Sequence, residues 1–187
     1  MRGKLIIFSA PSGSGKTTIV KHLLKKEFDL EFSVSATSRE PRPHEINGKD
    51  YYFLSAETFQ QKVKNDEFLE WEEVYAGICY GTLKNEVERI RDNGKNVVFD
   101  VDVVGGVNIK KYYGNDALAV FVQPPSVEEL KKRLIGRSTE TDDKINMRIA
   151  KAEQELSYAP QFDVVIVNDD LEKALTEAEK ILERFLQ

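Results

Sequence analysis

Cysteine is nearly missing from this 187-residue chain: Cys79 stands alone, so no internal disulfide and no cysteine-based zinc site can form. Histidine is as scarce. His22 and His44 lie far apart without ligand spacing, and ordinary surface or loop roles are expected for both. No apolar run approaches the roughly 20 residues of a membrane-spanning helix. The N-terminus runs almost straight into an apolar strand, so no signal or transit peptide is expected. Basic excess is absent too. The 27 Lys and Arg against 32 Asp and Glu leave a net charge of −5, which argues against non-specific nucleic-acid binding and leaves room only for local basic pockets. There is no internal repeat and no low-complexity segment. The expectation is a reduced, cytoplasmic protein, monomeric or homodimeric, without membrane or nucleic-acid partners. What is present, 41% hydrophobic and 32% charged residues with signs interspersed, suits a globular α/β domain with room for a small insertion.

Residues 9–18 read Ser-Ala-Pro-Ser-Gly-Ser-Gly-Lys-Thr-Thr. The apolar run Leu5-Ile6-Ile7-Phe8 before them suits a buried parallel strand. The segment from Ile19 to Lys26 repeats apolar pairs every four residues, as on one helix face. A glycine-rich turn between such a strand and helix is the setting of a phosphate-binding loop. Gly13 and Gly15 let backbone N–H groups close around an anion. The helix N-terminus adds partial positive charge and Lys16 a full one, and the Thr17 hydroxyl can ligate Mg²⁺. The loop would thus be formed by Ala10, Pro11, Ser12, Gly13, Ser14, Gly15, Lys16, Thr17 and Thr18. Ala10 departs from the glycine that the pattern G-x-x-x-x-G-K-[ST] expects there.

From Phe32 to about Thr82 the texture changes to short strands and turns. Phe32–Ala36 and Asp50–Leu54 are expected as strands, with Pro41-Arg42-Pro43 and Asn47-Gly48 as turn signals between them. A helix capped by Ser55 runs to Asn65, and Phe68-Leu69-Glu70-Trp71 leads to a turn at Ala76-Gly77. Then the α/β pattern resumes: a helix from Leu83 to Asn93 ended by Gly94, a strand Asn96–Asp100, and a strand Ala117–Val122 stopped by Pro124-Pro125. Ser126-Val127-Glu128-Glu129 is a capping box opening the next helix. Residues 136–148, charged and glycine-punctuated, read as a mobile lid. A last strand, Asp163–Val167, precedes a helix with Leu171, Leu175, Ala178, Leu182 and Phe185 on one stripe. Strands alternating with helices imply a parallel sheet covered on both faces, with ligands at the carboxyl ends of its strands. The expected division is a core of 1–32, 83–125 and 157–187, a mainly β subdomain of 33–82, and a helical lid of 126–156.

Four groups of side chains can do chemistry. Asp100 and Asp102 end a strand that lies beside the phosphate loop in such a sheet, so Asp100 can hold Mg²⁺; capping a strand end in solvent is the alternative. Arg39 and Arg42 sit on a proline-stiffened turn suited to an acceptor phosphate. Arg137 and Arg148 bracket the charged segment and can close over a donor phosphate. Glu70 is either an exposed strand carboxylate or a base reader. Guanine offers N1–H and N2–H₂ as donors to one carboxylate, whereas adenine presents an acceptor at N1.

Taken in order, the loop, the Ser35-Ala36-Thr37-Ser38-Arg39-Glu40-Pro41-Arg42 run, Asn47-Gly48-Lys49-Asp50-Tyr51, Phe68-Leu69-Glu70-Trp71, Tyr80-Gly81-Thr82, Phe99-Asp100-Val101-Asp102 and Asn168-Asp169-Asp170 resemble the guanylate kinase family along nearly the whole chain. The resemblance implies the P-loop NTPase fold, with a three-layer parallel-sheet core, an inserted GMP-binding subdomain and a helical lid. It implies transfer of the γ-phosphoryl group of Mg·ATP to GMP, with dGMP as a second acceptor, in purine nucleotide metabolism. Ser35, Arg39, Arg42, Tyr51, Glu70, Tyr80, Gly81, Thr82 and Asp102 would bind GMP. The phosphate loop with Arg137 and Asn168 would bind ATP, Thr17 and Asp100 the metal, and Lys16, Arg39, Arg137 and Arg148 would carry catalysis. Thr82 stands where serine is frequent and Val104 where glutamine is common. Two other outcomes stay open: a kinase of another nucleoside monophosphate, and a scaffold-type binding module.

Overall fold

The computed structural model describes residues 2–75, 77–137 and 142–187. Five strands form a parallel sheet: β1 (Leu5–Ser9), β2 (Leu30–Phe32), β7 (Asn96–Asp100), β8 (Ala117–Gln123) and β9 (Val164–Val167), in the order β2-β7-β1-β8-β9. The central strand β1 is apolar on both faces because both are covered. Ile6 and Phe8 face α1 (Lys16–Leu23) and α7 (Leu171–Leu186), meeting Ile19, Leu23, Ala178 and Leu182. Leu5 and Ile7 face α3 (Lys84–Asp92) and α4 (Val103–Tyr113), meeting Val87, Ile90, Val103 and Val107. Each fully buried side chain of this kind stabilises the fold by roughly 1.5–3 kcal/mol.

A second, four-stranded sheet has the order β4-β3-β6-β5, from β3 (Ala36–Thr37), β4 (Tyr52–Phe53), β5 (Phe68–Tyr75) and β6 (Ile78–Leu83). It packs on α2 (Ala56–Lys64), whose N-cap Ser55 accepts a hydrogen bond from the Thr58 N–H. Ala36, Phe59, Phe68, Cys79 and Leu83 make its own small core. Past β8, α5 (Val127–Arg137) starts with the Glu129 N–H donating to Ser126 Oγ, and α6 (Asp142–Leu156) packs on it through Leu130, Leu134 and Ala152.

Four differences from the sequence reading have physical causes. The expected strand Phe32–Ala36 is two strands of different sheets, β2 and β3, because the chain leaves the large sheet at Ser33. The helix α4 was hidden by Gly105-Gly106, each costing about 1 kcal/mol of helix propensity, and the strand β6 by its own glycine. In α7 the buried stripe runs through Ala174, Leu175, Ala178 and Leu182, while Leu171 at the first turn is 40% exposed. Residues 138–141, inside the segment read as a lid, lie outside the described residues.

Candidate nucleotide site

The phosphate loop leaves the carboxyl end of β1 and enters α1 as its sequence demands. Gly13 and Gly15 both have φ +93, a left-handed conformation costly for any residue with a Cβ. At Gly15 a Cβ would also meet the Asn168 Nδ2 atom. The Ala10 methyl group does no harm to the loop, because it is buried in the cluster of Ile6, Phe8 and Val20. Asn168, which the resemblance places among the ATP-binding residues, lies 5% exposed beneath the loop, its Nδ2 donating to the Ser14 carbonyl at 2.7 Å.

Lys16 Nζ lies 2.6 Å from Asp100 Oδ1 and donates to the Val101 carbonyl at 2.9 Å. Thr17 Oγ1 is 3.4 Å from Asp100 Oδ2. Parallel pairing of β1 with β7 sets Phe8 beside Asp100, which brings the carboxylate to the loop. A hydroxyl and a carboxylate converging this way are hard oxygen donors that fit Mg²⁺, which takes its remaining ligands from water and substrate phosphates. Ala10 to Thr18, Asp100 to Asp102 and Glu155 of α6 line a cavity of about 430 Å³.

A second cavity, about 220 Å³, shares the segment Asp100 to Asp102 with the first. Ser35, Tyr51, Glu70, Tyr80 and Gly81 line it too. Glu70 sits opposite Thr82 in the β5–β6 ladder, and Thr82 Oγ1 donates to its Oε1 at 2.5 Å. Burial pushes the Glu70 carboxyl up to about 7; the Thr82 hydrogen bond opposes this and the Asp102 charge adds to it. Regular alternation along β5 would set Glu70 on the face opposite both Leu69 and Trp71. A bulge between Phe68 and Glu70 breaks the alternation, so Leu69 packs with Val103 and Val107 on the α4 side, to which Glu70 also turns. Asp102 caps α4, with Oδ1 accepting from the Val104 and Gly105 N–H groups, which leaves Oδ2 for a ligand.

Arg39 stands behind the tyrosines, its Nε donating to Tyr80 Oη at 3.1 Å and its guanidinium 5.1 Å from the Tyr51 ring centre. Its two terminal nitrogens grip Glu45 at 2.7 Å each, which raises the basicity of Arg39 and holds the Glu45 carboxyl down at about 2. Arg42 is exposed; its backbone N–H donates to Glu45 Oε2 at 2.8 Å and its carbonyl accepts from the Glu45 N–H. Arg148 lies on α6, exposed. Arg137 ends α5, and its side chain lies outside the described part of the structure.

The guanylate kinase family model matches residues 2–185. The chain belongs to the guanylate kinase family. It is 60% identical over 183 residues to guanylate kinase of Bacteroides fragilis, covering 98% of this chain and 90% of that protein. It is 54% identical to guanylate kinase of Porphyromonas gingivalis, over 98% of both chains. The crystal structure of guanylate kinase from Anaplasma phagocytophilum superposes with a TM-score of 0.73 at 29% identity, covering 98% of this chain and 86% of that one.

Of the residues at the kinase site that escaped the sequence reading, three shape it directly. Glu45 follows Arg42 by three positions, a spacing that a turn closes. Glu155 lies seven residues, two helical turns, after Arg148 on α6. Gly105 is the third: a Cβ there would lie 3.0 Å from Glu70 Oε2 and 3.1 Å from Asp102 Oδ2. Gly105→Ala is therefore expected to crowd the two carboxylates and raise KM for GMP about tenfold, with KM for ATP unchanged, in initial-rate assays. Val104, by contrast, is 49% exposed in the first turn of α4, and nothing in the structure gives its replacement of glutamine a consequence.

Proposed function

We propose that the kinase phosphorylates GMP to GDP with ATP by direct transfer between its two cavities, donor at the phosphate loop and acceptor at the Glu70 wall. The observation that carries this is their shared boundary, Asp100 to Asp102. Two substrates bound there would meet without a covalent enzyme intermediate.

Guanine N1–H and N2–H₂ donate to Glu70, with Asp102 and the Thr82 hydroxyl completing the edge, while Ser35 stands at the same wall. Arg39, Arg42, Tyr51 and Tyr80 hold the GMP phosphate. One oxygen of that phosphate attacks the γ-phosphorus of ATP in line. The bond from that phosphorus to the bridging oxygen breaks, and ADP leaves with the electron pair. The acceptor is already anionic, so no general base is needed. Lys16 and the loop N–H groups stabilise charge on the donor phosphates, and Arg137 and Arg148 add to it from the lid. Thr17 and Asp100 would hold Mg²⁺, whose charge would offset that of the ATP phosphates. The lid of 126–156 and the subdomain of 33–82 close together, excluding water that would otherwise take the phosphoryl group. The reaction runs in the cytoplasm, in keeping with a single unpaired thiol. No described helix is long and apolar enough to cross a membrane.

A coupled assay for ADP release with Mg·ATP and each of GMP, AMP, UMP and CMP tests the assignment. GMP is expected to support turnover at least about a hundredfold better in kcat/KM than the other three, since each of them leaves Glu70 without its two donors. Equal rates with AMP would overturn the role of Glu70, and no turnover with any would overturn the transfer itself.

A further inference from the structure

The reaction accounts for Glu70, Asp100 and Asp102 among the acids lining the acceptor cavity, but leaves Glu72 without a task. Glu72 lies two residues beyond Glu70 on β5, on the same face, paired with Tyr80 in the ladder. Lys151, on α6, lines the same cavity and brings an ammonium group to a wall of carboxylates. A smaller cavity beside it, about 130 Å³, is again lined by Glu72 and Lys151, together with Asp102 and Glu155. Lys151 Nζ is 3.9 Å from Glu155 Oε1, one helical turn along α6, at the rim of the cleft.

We propose that Lys151 is a positioning residue that pairs with Glu72 when GMP is bound, latching α6 onto the GMP-binding subdomain. This rests on the acceptor-site reading above. Electrostatics supply the reason. Glu155 already shares the smaller cavity with Glu72 and Asp102; burial pushes its carboxyl up, the Lys151 and Lys16 charges oppose this, and the Asp102 and Glu72 charges add to it. A cation between these acids turns the repulsion into attraction as water is excluded. Glu72 is exposed, and the Lys151 side chain is 65% exposed, so both are free to move. A lysine suits such a latch because its flexible stem reaches either carboxylate.

The test is a double-mutant cycle in the full chain, with wild-type turnover of GMP as the control for the acceptor-site reading itself. Glu72→Lys and Lys151→Glu are each expected to raise KM for GMP about fivefold at low salt, with KM for ATP unchanged. The double swap is expected to return KM for GMP to within about twofold of wild type, and raising the salt to 0.5 M is expected to shrink the single-variant effects. Glu72→Gln and Lys151→Gln guard against folding failure and are expected to be non-additive. The latch is overturned if the single variants keep wild-type KM for GMP, if the swap is as poor as the two singles added, or if KM for ATP moves equally. If wild type itself does not turn over GMP, the acceptor assignment fails instead.

Discussion

Lys16→Met is expected to lower kcat at least about a thousandfold while leaving a folded protein. The ammonium is the cation that the described loop directs at the donor cavity, 2.6 Å from Asp100 and anchored on the Val101 carbonyl. Methionine keeps most of the length and an unbranched apolar stem but removes the charge that would meet the phosphates as the bridging bond breaks. Asp100 loses its partner but is a fifth exposed, so water can solvate it and the fold is expected to survive. Coupled kinetics and a thermal melt check both halves. Turnover within tenfold of wild type would refute the role of Lys16, and loss of the folding transition would refute the claim that its task is chemical.

Glu70→Gln is expected to raise KM for GMP about a hundredfold, because a carboxamide accepts with one end only and opposes a guanine N–H with its own. The same change bears on pH. GMP needs the ionised carboxylate, and Glu70 protonates as pH falls through about 7, so KM for GMP in the wild type should rise about tenfold per pH unit below that point. The glutamine variant should lose that limb. Stability runs the other way. The folded value lies above the ordinary one of 4.5, so stability present at low pH is lost as pH rises toward 7, by on the order of 3 kcal/mol. Glu70→Gln should therefore melt higher than wild type at pH 8 in the absence of GMP. A lower melting temperature there, or an unchanged pH limb, would show that Glu70 is not the strained, base-reading group.

The parallel core was legible because its signals are local. Unbroken apolar runs such as Leu5-Ile6-Ile7-Phe8 admit few readings, and the phosphate loop adds Gly13 and Gly15, both at positive φ in the structure. The side chains that come together across the chain were harder. Glu70 could be named as a base reader or a bland surface acid, and only the ladder that puts Thr82 opposite it, with α4 behind, settles its burial. Gly105 drew no reading, because half of its reason, the space that the Glu70 carboxylate needs beside Asp102, lies 35 residues away in sequence. Asn168 carried no sign of its tie to Ser14, since that bond depends on how β9 meets the loop. The bulge that turns Leu69 inward breaks the regular alternation that the sequence of a strand would suggest.

The lone cysteine acquires a use from where the fold puts it. Cys79 is buried in the small core around Phe59 and Phe68, away from the two clusters that hold the main sheet, and burial pushes its thiol up. It is silent to alkylating reagents until that small core opens. The labelling rate of the native enzyme thus clocks the breathing of the acceptor half alone, with no second thiol to confuse the signal. A nucleotide seated against Glu70 slows that clock, whereas one seated only on the phosphate loop leaves it running.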